Sequence, residues 1–122
     1  MQISDHKISI QPDFVLVERP PGYEVDLNEL PLMLMELANF CEEADCRKVL
    51  VVGENTKVNL EVIDIFDLGS QLAELHLQIA MVESHDASDE NVGFLENVAF
   101  NRGGQIRFFD TKKDAKYWLG VS

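Results

Sequence analysis

The sequence predicts an α/β fold with a four- to five-stranded, mixed and mostly parallel sheet flanked by about four helices. Two short β-prone runs open the chain, and the later strand-length apolar runs alternate with segments of helical spacing. Strands that are joined through helices run parallel, with right-handed crossovers. Because 122 residues is a typical domain size, we expect one domain over residues 1–122.

The first two strands are predicted to form a hairpin. Lys7–Ile10 and Phe14–Arg19 are rich in β-prone residues, and Gln11–Asp13 between them contains proline and aspartate, which favour turns. Pro20–Gly22 ends the second strand, since proline cannot donate a hydrogen bond to a strand ladder.

The first helix is predicted from Asp26 to about Asp45, with Asp26 or Asn28 as its N-cap. Pro31 fits this helix only in the first turn. The segment Pro31–Met35 is apolar on both sides of a helical turn, so something should cover its second side. Burial between the sheet and the opening hairpin, a protein partner, self-association and an acyl-like ligand would each satisfy this requirement.

Three further apolar runs are predicted strands. Lys48–Val52 and Leu77–Val82 are continuous, which is typical of strands buried on both faces, and Ile106–Phe109 is the last strand. The loops after parallel strands gather at one edge of the sheet, where we expect the functional residues. The predicted rim loops are Gly53–Val58, Glu83–Asp89 and Asp110–Thr111.

Three more helices follow from the spacing of apolar residues. The second is predicted over about Asn59–His76, and the third over about Ser88–Arg102, where Gly103–Gly104 ends it. Asp110 or Thr111 is expected to cap a short final helix. The predicted core residues of these helices include Phe94, Phe100, Ala115, Trp118 and Leu119.

Charge and cysteine content restrict the function. Twenty-two acidic and ten basic residues give a formal charge of −12, which repels nucleic acid and anionic membranes. Neither a signal peptide over Met1–Gln11 nor a membrane-spanning apolar run is predicted, so a cytoplasmic location is expected. The spacing of Cys41 and Cys46 matches neither a metal-binding nor a thioredoxin-type motif, and Cys41 is predicted to be a buried, inert thiol.

The C-terminal part of the chain carries a residue pattern that points to a family. Asn101–Gly104 ends a helix, Ile106–Asp110 forms a strand ending in phenylalanine, and Ala115 with Trp118–Leu119 lies in the final helix. These residues and the order of elements resemble the SpoIIAA-like branch of the STAS fold, in which a helix ends in Asn-Arg-Gly and the final helix carries Ala-x-x-Trp-Leu. The general pattern covers nearly the whole chain.

The resemblance implies a non-enzymatic regulatory module. Some STAS domains antagonise anti-sigma factors, others regulate anion transporters, and the SpoIIAA-like branch is related in shape to lipid-binding CRAL-TRIO domains. The best-studied members are switched by phosphorylation of a serine in an Asp-Ser-Ser/Thr-Gly-like turn at the start of the second helix. The matching turn here is Gly53–Lys57, which departs from that pattern and offers Thr56 as its hydroxyl. Thr56 is therefore either a phospho-acceptor at a helix N-terminus or a residue that caps the turn.

The run His85–Glu90 places an imidazole and three carboxylates close together. A divalent metal could bind such a set. The alternative is structural: Ser88 or Asp86 caps the third helix, while Asp89 and Glu90 complement its dipole. A metal-assisted hydrolase centred here is the weakest functional hypothesis, and the sequence predicts no catalytic residue, resident metal or cofactor.

The leading hypothesis is a cytoplasmic, STAS-like protein-interaction module. Its partner is another protein or a second copy of this chain, which would make it a homodimer. The alternative is a carrier of a small apolar, lipid-like ligand, held between the Met33–Leu37 part of the first helix and a neighbouring helix. The predicted contact surfaces are the rim loops and the part of the first helix over Leu32–Leu37. The candidate rim contacts are Glu54, Asn55, Thr56 and Lys57, and the candidate partner surface comprises Met33, Met35, Glu83, His85 and Asp86.

Overall fold

The computed structural model describes residues 6–22, 29–54, 62–84, 96–98, 100–101 and 103–121. Within them, strands and helices follow one another in the predicted order. The strands are β1 (Lys7–Ile10), β2 (Val15–Glu18), β3 (Lys48–Glu54), β4 (Gln78–Ser84) and β5 (Gln105–Phe109). The helices are α1 (Leu30–Ala44), α2 (Val62–Glu74), α3, which includes helical residues 96–98 and 100–101, and α4 (Lys112–Leu119).

The strands form one sheet in the order β1-β2-β3-β4-β5. β1 pairs antiparallel with β2, and the Gln11 N–H donates to the Phe14 carbonyl across the turn at 2.9 Å, so the predicted hairpin is confirmed. The other neighbours pair in parallel. Because each parallel strand lies next to the preceding one, right-handed crossovers place α1, α2 and α3 on the same face of the sheet. The predicted mixed, mostly parallel sheet is therefore confirmed.

Both faces of the sheet are buried, by different elements. The first face packs against α1, α2 and α3, whereas the second packs against α4 and the hairpin turn. Full burial of a leucine or valine side chain contributes roughly 1.5–3 kcal/mol, so the doubly covered β3 and β4 supply much of the stability. The first core includes Val15, Leu37, Cys41, Val49, Val51, Leu72, Ile79, Val98 and Ile106. The second core includes Phe14, Leu50, Ala80, Val82, Ala115 and Leu119.

Aromatic and polar contacts hold α4 on the second face. The rings of Phe109 and Trp118 lie 5.7 Å apart and are tilted by 44°. The Lys116 ammonium lies 5.7 Å from the centre of the Phe14 ring, a cation–π distance. The Gln78 side-chain amide donates to the Trp118 carbonyl at 3.2 Å. These contacts orient the helix across the sheet, although α4 is only eight residues long.

The predicted start of the first helix was wrong. α1 begins at Leu30, and its N-cap is Glu29, whose side chain makes no capping hydrogen bond. Neither Asp26 nor Asn28 is the N-cap of this helix. Pro31 determines where α1 begins. It occupies the first turn, as expected, because a proline fits a helix only where its missing N–H would have had no intrahelical acceptor.

The two central strands are longer than predicted. Pairing continues from Val52 to the pairs Gly53 with Glu83 and Glu54 with Ser84, so Gly53 lies inside β3 and does not end it. Glu54 and Glu83, which were assigned to rim loops, are therefore strand residues. Polar residues at strand ends still pair when a neighbouring strand offers a matching ladder.

Two helix predictions also need correction. α2 ends at Glu74, and His76 lies beyond it with a left-handed φ of 54°. Phe100 was predicted to be a core residue, but its side chain is 75% exposed. The predicted start of the second helix at Asn59, and the predicted core residue Phe94, lie outside the described residues.

Two adjacent glycines after α3 are required for different reasons. Gly103 has a φ of +88°, and its N–H donates to the Phe100 carbonyl at 3.0 Å, as expected for a helix C-terminus. A Cβ on Gly103 would meet nothing within 4 Å. A Cβ on Gly104 would instead lie 2.8 Å from the Ala73 Cα of α2. Gly104 therefore permits a close approach between the start of β5 and α2.

We expect Gly104→Ala to lower the free energy of unfolding by about 2–3 kcal/mol, because the new methyl group meets backbone atoms of Ala73. Gly103→Ala should cost about 1 kcal/mol, from the strained φ alone. Adding Ala73→Gly to Gly104→Ala should not restore stability, since the nearest atom is a Cα. Urea unfolding measures all three variants, and a full rescue by Ala73→Gly would contradict this account.

Thr111 is the N-cap of α4, as one of the two sequence alternatives predicted. Its backbone is extended, and its hydroxyl oxygen accepts a hydrogen bond from the Asp114 N–H at 3.2 Å. Asp114 also places an acidic side chain in the first turn, where it complements the helix dipole.

Thr111→Ala should lower the free energy of unfolding by about 1 kcal/mol, because an N–H at the helix start loses its acceptor. Thr111→Ser keeps the hydroxyl and should stay close to the parent protein. Chemical denaturation of both variants checks this, and equal losses in the two would show that the methyl group, not the hydroxyl, matters.

Candidate functional site

The carboxyl ends of the parallel strands form one edge of the sheet. We call this edge the carboxyl rim and define it by the last residues of β2, β3 and β4 and the first residue after β5: Glu18, Glu54, Ser84 and Asp110. The last pair in the β3–β4 ladder is Glu54 with Ser84, and Glu83 is one position earlier. The sequence prediction that Glu54 and Glu83 share one edge is thus consistent with the register.

The first turns of α1 also lie toward the carboxyl rim. α1 joins two parallel strands, so it must run antiparallel to them, from the rim back to the opposite edge. Leu32 and Met35 stand one helical turn apart near the start of α1, and each side chain is 59% exposed. We call these two residues the α1 apolar patch. It lies at the rim end of the helix.

The structure separates the two methionines that were predicted as a partner surface. Met33 is half-buried and packs against the first core, whereas Met35 is exposed. Burial between the sheet and the opening hairpin, one of the alternatives for this segment, does not apply to Met35 or Leu32, because both side chains are exposed. Both residues belong to the predicted contact surface Leu32–Leu37. Helical spacing contains the signal: the stripe through Leu37 and Cys41 faces the sheet, and Leu32 falls on the opposite side.

The remaining predicted site residues lie outside the described residues: Asn55, Thr56, Lys57, His85 and Asp86. The two segments that contain them follow directly after Glu54 and Ser84, which are paired neighbours. The phospho-acceptor and metal hypotheses for them stay predictions.

The described residues contain no group of three or more histidine, cysteine, aspartate or glutamate side chains that could hold a metal ion. His6 precedes β1 and is buried. None of the helices in the described part of the chain is long and apolar enough to cross a bilayer.

An ion pair links α3 to β5. The Arg107 guanidinium lies 3.8 Å from a Glu96 carboxylate oxygen. Burial raises the pKa of Glu96 above its usual range, and this outweighs the lowering by Arg107 and by a backbone hydrogen bond from Phe108. Arg107 also stands 5.7 Å from the centre of the Phe109 ring. The contacts join the third helix to the edge strand, so their role is structural.

The two cysteines lie at the end of α1 that is remote from the carboxyl rim. Cys41 is buried in the first core, as predicted, and Cys46 is half-buried, and both are free thiols. Burial raises the pKa of the Cys41 thiol from 9.0 to about 11, and the nearby Cys46 adds to this increase. Cys41 therefore remains a thiol at neutral pH.

Comparison with known structures identifies the fold. The chain is similar to an uncharacterized protein of the DUF3478 family from Shewanella loihica, whose crystal structure has a SpoIIAA-like fold. The TM-score is 0.52 and the identity 15%, and the match covers 93% of this chain and 91% of that one. The SpoIIAA-like fold predicted from sequence is therefore confirmed. No protein-family model matches the chain, and no curated protein matches it significantly.

The raised pKa of Cys41 predicts a loss of stability in alkali. The folded protein holds this proton more tightly than the unfolded chain, so the stabilisation is complete below pH 9.0 and disappears as the pH rises to about 11. Unfolding free energies of the parent protein and Cys41→Ala should converge over that range. Cys46→Ala is the matched control and should retain the alkaline decrease. Parallel curves for the parent and Cys41→Ala would contradict the assignment.

Proposed function

We propose that this chain is a non-enzymatic protein-interaction module of SpoIIAA-like fold, whose contact surface combines the carboxyl rim with the α1 apolar patch. The observation that carries the proposal is the exposure of Leu32 and Met35, each 59%, at the rim end of α1. Adjacent exposed apolar side chains mark protein-binding surfaces, and methionine adapts to differently shaped partners.

The charge around this surface restricts the partner. α1 contains no lysine or arginine, and exposed Glu29 precedes the apolar patch. Glu18 and Asp110 at the carboxyl rim are exposed as well. A partner with apolar anchors and basic flanking residues complements such a surface, and the attraction would weaken as salt increases.

The residues at the starts of the two rim segments extend the proposed contact surface. Glu54 and Glu83 belong to the paired ends of β3 and β4, and Asn55, Thr56 and Lys57 continue from the first of them. A phosphate on Thr56, two positions after Glu54 in the sequence, would add negative charge to the chain and so alter its affinity for a basic partner. His85 and Asp86 are the corresponding contacts after β4.

The absence of catalysis is part of the proposal and rests on the sequence. None of the serines in the sequence lies in a nucleophile-elbow motif, and Gly103–Gly104 belongs to no glycine motif that binds phosphate. A carrier of a small apolar ligand is the second candidate, because Leu32 and Met35 are also suitable contacts for an acyl chain.

A photo-crosslinking residue at Met35 tests the contact surface, with Tyr117 as the matched control position. Tyr117 is 88% exposed on α4, which covers the other face of the sheet. The protein captured from Met35 is then purified and titrated with the parent chain. Met35→Asp and Leu32→Asp should each weaken binding at least about tenfold, which is about 1.4 kcal/mol, whereas Tyr117→Asp should leave it unchanged.

Three results would contradict the proposal. Equal weakening by Tyr117→Asp would show that the contact is not specific to the α1 apolar patch. Native mass spectrometry that finds a bound small molecule, released on denaturation and lost in Met35→Asp, would favour the carrier. The chain would be an enzyme if it turned over a substrate and if substitutions at the carboxyl rim abolished that turnover. Circular dichroism and urea midpoints of each variant confirm that the fold is retained.

A further inference from the structure

The C-terminal turn of α1 pairs its two cysteines through the backbone. The Cys46 N–H donates to the Cys41 carbonyl at 3.0 Å, and the Asp45 N–H donates to the Glu42 carbonyl at 3.1 Å. Asp45 is left-handed, with a φ of 50°. Together these features define a Schellman motif, in which the residue after the left-handed position packs against the last full helical turn.

The motif brings the Cys41 and Cys46 side chains into the same cluster. Cys46 is half-buried and packs against the first core, which contains Cys41. Bond lengths on either side of their backbone hydrogen bond hold the two Cα atoms within about 7 Å. A disulfide needs Cα atoms roughly 4.4–6.8 Å apart, and the upper bound set by the hydrogen bond is close to the end of that range.

We propose that Cys41 and Cys46 form a reversible intramolecular disulfide, which makes the C-terminal turn of α1 an oxidation site for a peroxide. The sequence spacing alone matches no recognised redox motif, because the two positions become neighbours only when the helix ends in this motif. The site lies at the edge of the sheet opposite the carboxyl rim, so the inference is independent of the proposed protein-binding function.

The two thiols have different access to an oxidant. Cys46 is half-buried, and its sulfur lies 3.6 Å from the Lys48 carbonyl oxygen and 3.7 Å from that of Asp13. Cys41 is only 2% exposed. Cys46 is therefore the residue that meets the peroxide, and Cys41 is the one that resolves the product.

The reaction balances in two steps. The Cys46 sulfur attacks one peroxide oxygen, the O–O bond breaks, and the products are a Cys46 sulfenic acid and one water. The Cys41 sulfur then attacks the Cys46 sulfur, the S–O bond breaks, and the hydroxyl leaves with the thiol proton as a second water. The two thiols lose two electrons to hydrogen peroxide, and thiol–disulfide exchange with a reduced thiol reverses the reaction.

Equilibration with oxidised and reduced glutathione tests the geometry, in the folded protein and in the same chain unfolded by urea. Acid quenching, alkylation of remaining thiols and peptide mass spectrometry measure the fraction with a Cys41–Cys46 bond. The equilibrium constant should be at least about tenfold larger in the folded protein, because the native turn holds the two Cα atoms close together. By linkage, oxidation should then raise the unfolding midpoint in urea.

Hydrogen peroxide and two single variants test the order of events. Cys41→Ser should leave Cys46 as a trappable sulfenic acid, whereas Cys46→Ser should leave Cys41 largely unreacted while folded. Asp45→Gly keeps the left-handed turn and should preserve disulfide formation, as a control for effects of substitution. An equilibrium constant in the folded protein that is equal to or below that of the unfolded chain would overturn the proposal. Oxidation only to intermolecular dimers or to sulfinic acid would also overturn it.

Discussion

The parallel pairing of β2, β3, β4 and β5 is the constraint on which the rest of the structure depends. Each of these strands lies beside the strand that precedes it in sequence. Because all the crossover connections are right-handed, α1, α2 and α3 lie on the same face of the sheet. The second face is covered by α4, which follows β5 in the chain. The same pairing places the carboxyl ends of β2 to β5 at one edge, so polar residues that are distant in sequence lie along the carboxyl rim.

The two edges of the sheet have different properties. At the amino edge, backbone contacts are close: Gly104 approaches Ala73, Arg47 donates to the His76 carbonyl at 3.3 Å, and the end of α1 turns back on itself at Asp45. Such contacts tolerate few substitutions. The carboxyl rim instead bears exposed acidic residues and lies beside the α1 apolar patch. The close contacts that stabilise the fold therefore lie at the amino edge, whereas the surface available for binding a partner lies at the carboxyl rim.

The element order, the hairpin, the buried central strands and the cap at Thr111 could be predicted because each depends on local chemistry or on periodicity. The ends of β3 and β4 could not be, since Glu54 enters the ladder only because Ser84 on a neighbouring strand pairs with it. Phe100 was misjudged for a similar reason: an apolar residue with helical spacing is buried only when another element covers it, and here it is 75% exposed.

By itself, the sequence determined the class of fold and the likeness to the SpoIIAA-like group, because alternating periodicities and residues that end helices act over short distances along the chain. Only the tertiary structure decided that Met33 packs inward while Met35 remains exposed, and that Cys46 turns back onto Cys41. The burial of a side chain and its distance from another side chain depend on which elements, distant in sequence, pack over it. The sequence specifies such contacts only through the complete fold.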